Sequence, residues 1–150
     1  MKRSIVIVDG MGGGIGVQLI GKIRELLDRE WPGEWEIIAL GTNSAATERM
    51  VKAGAHRGAT GENAVKVSVG LGDFILGPIG IVLANALMGE ITGSMAEAVL
   101  GARGDRILVP IQQDHFTLAG FEALPLGKMV EKAVEILGDR IRAVSRGRKS

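Results

Sequence analysis

Apolar and polar residues along this chain change period in a regular way. Ser4-Ile5-Val6-Ile7-Val8 is a continuous β-branched run rather than an alternating one, the pattern of a strand covered on both faces and hence of a parallel sheet. After a glycine-rich stretch, Ile15, Leu19, Ile20, Ile23, Leu26 and Leu27 recur at helical spacing, with Lys22, Arg24, Glu25 and Asp28 on the other face and Trp31-Pro32-Gly33 as the stop. Trp35 to Leu40 reads as a second strand closed by Gly41. Thr42 to Ser44 can cap a helix reaching about Ala53. A β-α-β unit is thereby complete.

The alternation continues more softly. Gly54 to Ala59 offers a short third strand or turn, Glu62 to Val67 a short helix, and Asp73 to Gly77 a fourth strand. Pro78-Ile79-Gly80 leads an apolar, helix-like stretch to Leu87, and Ile91-Thr92-Gly93-Ser94 opens another helix through Leu100. Arg106 to Ile111 is a fifth strand, and Phe116 to Gly120 reads as an optional sixth at the edge. Leu126, Met129, Val130, Ala133, Val134 and Leu137 mark an amphipathic closing helix. Strands alternating with helices, joined by right-handed crossovers, predict an α/β fold: a three-layer αβα Rossmann-like sandwich with a mainly parallel sheet in the order 3-2-1-4-5. One domain over residues 1–138 is expected, followed by a basic, flexible tail over 139–150.

Composition narrows the chemistry. The 150 residues contain no cysteine, which removes disulfides, thiolate catalysis and cysteine metal sites. Twenty-three glycines without a collagen-like period point to many tight turns. The N-terminus turns polar at Asp9 too soon for a signal peptide, and Glu90 interrupts the Ile79 to Met88 run well short of a membrane span, so a cytoplasmic protein away from the membrane is expected. Five of the 18 basic residues lie in the last eleven, leaving residues 1–138 with 13 basic and 16 acidic side chains, a net −3. Such a body, without aromatics among its basic residues, gives no reason to expect nucleic acid as a partner.

The candidate site is the turn after the first strand, Asp9-Gly10-Met11-Gly12-Gly13-Gly14-Ile15-Gly16. The G-x-G-x-x-G register fails, because its third glycine falls on Ile15. Gly10-x-x-x-Gly14-Ile15-Gly16 fits G-x-x-x-G-I-G, which resembles the turn of short-chain dehydrogenases. Such a turn offers backbone N–H groups at a helix N-terminus, with no side chains between them and a pyrophosphate. Asp9 can cap the turn, hold a metal-nucleotide or repel a phosphate, and capping suits it best. Where an acid would take the ribose hydroxyls of NAD at the end of the second strand, the chain has Thr42, Asn43 and Ser44. These suit a phosphorylated ribose, or only cap the next helix. Thr60, Glu62 and Asn63, with Gly77 and Pro78, fall at further strand ends and are expected to line the same crevice. Glu62 is an acid–base candidate, and His115 is the histidine placed to reach that rim. The expected ligand is therefore NADP or another nucleotide, with no metal. A short-chain dehydrogenase also needs a tyrosine, and there is none.

Together, Val8 to Gly16, Gly41-Thr42-Asn43-Ser44, Ala59-Thr60-Gly61-Glu62-Asn63-Ala64, Gly77-Pro78-Ile79-Gly80-Ile81 and Gly89-Glu90-Ile91-Thr92 resemble a small bacterial family known only as a domain of unknown function. The resemblance runs from about Ile5 to Leu137. It implies no activity, substrate or catalytic residue. Three functions stay open: a nucleotide-binding protein, a non-catalytic ligand-sensing subunit, and a structural homo-oligomer built on Ile79 to Leu87 and Ser94 to Leu100.

Overall fold

The computed structural model describes residues 3–111 and 116–147. Their elements run β1 (Arg3–Asp9), α1 (Gly14–Glu30), β2 (Trp35–Gly41), α2 (Ser44–Lys52), β3 (Arg57–Thr60), α3 (Glu62–Ser68), β4 (Phe74–Pro78), α4 (Gly93–Gly101), β5 (Asp105–Val109) and α5 (Leu126–Gly147), with 3-10 turns at Val69–Leu71 and Ile79–Val82. The sheet is parallel throughout in the order β3-β2-β1-β4-β5, as the alternation of elements predicts.

Two cores explain the continuous apolar strands. Ile5, Ile7, Ile37, Ala39, Phe74, Leu76 and Ile107 point to one face, where Leu19, Ile20 and Ile23 of α1, Ala46 and Met50 of α2 and Leu137 and Ile141 of α5 cover them. Val6, Val8, Ile38, Leu40 and Ile75 point to the other, under Val65 of α3, Ile81, Ile91 and Met95 and Val99 of α4. Burial on both faces is what a strand without polar alternation requires. The chain winds from β1 outward through β3 with α1 and α2 on one face, then crosses to β4, so the sheet divides beside β1. In open α/β sheets, ligands bind at this switch point.

Three expectations change. Phe116 makes a single bridge, and Leu118 to Gly120 form no sixth strand; the stretch from Phe116 to Pro125 is exposed and has no core face to bury. The apolar stretch after Pro78 is only one 3-10 turn, because Ile79, Gly80, Ile81 and Val82 lack a helical stripe and the backbone then turns left-handed at Asn85, Leu87 and Met88 (φ 68°, 55° and 55°). The flexible tail over 139–150 is corrected as far as Gly147. There α5 continues, burying Ile141 and fixing Arg140 on Asp105 and Arg142 on Glu30 at 2.6 and 2.7 Å. Among the described residues, no helix is long and apolar enough to cross a membrane.

Candidate functional site

Asp9 ends β1 and is almost fully buried, its side chain turned under the glycine-rich turn. The residue before α1, Gly13, is left-handed (φ 71°) and has no side chain to cap the helix. Ala46 Cα and carbonyl oxygen would lie 3.1 and 3.2 Å from a Cβ there, so glycine meets both a conformational and a steric demand. Asp9 supplies the missing cap from the preceding strand. The Gly10 N–H donates to Oδ1 at 2.8 Å and the Gly16 N–H to Oδ2 at 2.7 Å. Burial pushes the Asp9 carboxyl above its ordinary value; hydrogen bonds from Gly16, Gly10 and Ile15 pull against that, and the Glu90 charge adds to the rise.

Glu90 stands in the Gly89-Glu90-Ile91-Thr92 segment that carries part of the resemblance, but its place at the turn is not read from local pattern. It lies on the loop between β4 and α4, and its Oε1 accepts the Met11 N–H at 3.0 Å, the Thr42 hydroxyl at 2.5 Å and the Asn43 amide at 2.8 Å. Partial burial pushes its carboxyl up, but the Thr42, Asn43 and Met11 hydrogen bonds outweigh that and hold it below the ordinary value. Asn43 also caps α2 by accepting the Ala46 N–H at 2.8 Å and donates to the Met11 carbonyl at 2.9 Å. Of the two roles open to this segment, contact with a phosphorylated ribose or a helix cap, Asn43 thus performs the cap, and it also ties α2 to the glycine turn. Arg49, one turn into α2, folds back to donate to the Gly12 carbonyl at 2.8 Å.

The remaining candidates divide by use. Thr60 donates to Thr47, whose hydroxyl reaches the Asn43 carbonyl, so Thr60 braces the β2 end. Glu62 opens α3 and accepts the Ser94 hydroxyl at 3.1 Å, tying that rim to the start of α4. Asn63 and Ser44 are exposed beside these turns. Gly77 and Pro78 are buried at the end of β4, and Gly77 lies against the Val8 carbonyl. His115 lies outside the described residues. The other histidine, His56, accepts the Ile37 N–H through Nδ1 at 2.9 Å, away from the turn. Among the described residues, no group of three or more His, Asp or Glu is placed to hold a metal ion.

The two carboxylates give opposite pH signatures. A carboxyl raised on folding stabilises the native state below its ordinary value and loses that contribution as pH climbs through the raised value; a lowered one contributes above its ordinary value and loses it as pH falls. Urea melts should therefore show Asp9→Asn flattening the stability lost on going up from pH 3.8, and Glu90→Gln flattening the stability lost on going down from pH 4.5. Parallel pH profiles for both variants and the parent would contradict the two environments.

Among the curated proteins, none matches this chain. The model of the family described as "Domain of unknown function (DUF3842)" matches residues 4–142, so the chain belongs to that family.

Proposed function

We propose that the crevice beside β1 binds the phosphate of a nucleotide or dinucleotide at the N-terminus of α1, in a cytoplasmic protein. The observation that carries this reading is the division of labour among the donors of the turn. Met11 gives its N–H to Glu90, Gly13 to the Gly10 carbonyl, and Gly10 and Gly16 theirs to Asp9. Among the described residues, the N–H groups of Gly12 and Gly14 have no protein partner. Apart from its chain neighbours and the backbone of its own helix, no atom lies within 4 Å of where a Gly14 Cβ would stand. Packing does not demand glycine at 14, whereas close approach by a ligand does. Arg49 adds a cation beside Gly12.

The test is a thermal shift panel of NADP, NAD, ATP, GTP, coenzyme A and FMN. A ligand at one hundred times its Kd adds about 2.7 kcal/mol to stability, an easily read rise in Tm. Gly14→Val should fold as the parent does and lose the shift, because its side chain enters open space over the donors. Silence across the panel, or a shift that survives in Gly14→Val, would overturn the reading.

An oligomeric, non-catalytic subunit is favoured by a separate observation. Most of the apolar side chains expected at an interface, such as Ile81, Met95 and Val99, are consumed by the core, but Val67, Leu71 and Leu100 on the α3 and α4 side are 69%, 47% and 57% exposed. Light scattering on Leu100→Glu against the parent distinguishes the two: a mass that halves supports the subunit, and an unchanged monomer removes it.

A further inference from the structure

The following rests on the nucleotide reading and extends it to the sugar. In dinucleotide-binding α/β folds, an acid at the end of the second strand accepts the ribose hydroxyls. The chain segment after β2 has none, which is why the sequence alone points to a phosphorylated ribose. Glu90 brings a carboxylate to that place from a loop 48 residues away. Its three donors come from the β2 end and from the glycine turn, so the group bridges the two walls. A Cβ added to Gly10 would lie 3.3 Å from Oε1, which sets the carboxylate over the first glycine of the turn.

All three hydrogen bonds converge on Oε1. Among the described residues, Oε2 accepts none, and the side chain is only partly buried. The carrying loop is built to hold it there. Asn85 N–H donates to Ile91 O at 2.7 Å, Ile91 N–H to Ala86 O at 3.2 Å and Glu90 N–H to Leu87 O at 3.1 Å. This closure goes with left-handed backbone at Leu87 and Met88, a conformation that residues with a Cβ adopt only at a cost. Strain of this kind persists where surrounding structure fixes a functional geometry.

We propose that Glu90 is the specificity-determining acceptor for the 2′,3′-diol of the ligand's ribose, and that its charge rejects a 2′-phosphate. An ionised acceptor held by three donors forms strong hydrogen bonds to hydroxyls. A second anion against it is disfavoured, and the nearby Arg49 is engaged on the Gly12 carbonyl.

Titration calorimetry of NAD against NADP, and of 5′-AMP against adenosine 2′,5′-bisphosphate, reads the effect directly. The parent protein should bind each diol ligand about tenfold or more tightly than its 2′-phosphorylated counterpart, a difference of about 1.4 kcal/mol. Glu90→Gln keeps an amide oxygen for Thr42, Asn43 and Met11 while removing the charge. It should weaken the diol ligands, strengthen the 2′-phosphates and bring the two within about threefold, with an unchanged circular dichroism spectrum. Equal affinity of the parent for NAD and NADP overturns the ribose assignment and leaves the phosphate reading standing. Uniformly tighter binding of every nucleotide by Glu90→Gln also overturns it, making Glu90 an internal plug of the turn. No binding of any nucleotide by the parent sinks both readings together.

Discussion

Asp9→Ala is expected to lower the unfolding free energy by about 2–4 kcal/mol, measured by urea denaturation at neutral pH. Two effects oppose each other. Removing a buried carboxylate relieves the desolvation that raises its pKa. Against this, the Gly10 and Gly16 N–H groups lose acceptors at 2.8 and 2.7 Å, both bonds are buried, and alanine offers no replacement. Unsatisfied buried donors cost about 1–3 kcal/mol each, so the loss wins. Asp9→Asn should fall between, because one amide oxygen can serve only one of the two positions and its NH2 meets the other donor. An Asp9→Ala protein as stable as the parent would mean that another group or water caps α1.

Gly77→Ala should be comparably damaging although the residue is far from the surface. An added Cβ there runs into the Val8 carbonyl oxygen and comes within 2.9 Å of Ile81 Cδ1. The obstructing atom is backbone of the central strand, hydrogen-bonded into the sheet, and cannot rotate away as a side-chain tip would. Either β4 separates from β1 or the methyl is compressed; overpacking of this sort costs about 3 kcal/mol, a Tm lower by about 10 °C in a chain of this size. Calorimetry checks it, and an unchanged Tm would show that the two strands have room to spare.

Much of this architecture is legible in the sequence because its causes are local. The β-branched run from Ile5 to Val8 specifies a strand buried on both faces, and the glycine string between strand and helix specifies the turn. The closing helix is legible beyond residue 138: Val130, Ala133, Leu137 and Ile141 continue one stripe, and that stripe carries α5 onward. The segment after Pro78 misleads for the opposite reason, since apolar composition without helical period says buried and says nothing of shape. Glu90 was hidden because its meaning is entirely long-range. Read along the chain it interrupts an apolar run; in the fold it joins Met11 to Thr42 and Asn43. Asp9, whose capped amides lie within seven residues, could be assigned to the turn from sequence.

The all-parallel sheet has a consequence for the order in which the molecule can form. Among the described residues, no strand of the sheet meets its neighbour through a hairpin: Ile5 pairs with Ile37 on one side and with Phe74 on the other. Closing such loops costs entropy before any pairing rewards it, which makes folding slow for this topology. The crevice inherits that order. The glycine turn can be shaped once β1, α1 and β2 are together, but its acidic wall arrives only after β4 has docked and the chain has passed residue 90. A chain emerging from the ribosome therefore presents the glycine turn well before the Glu90 carboxylate that closes over it.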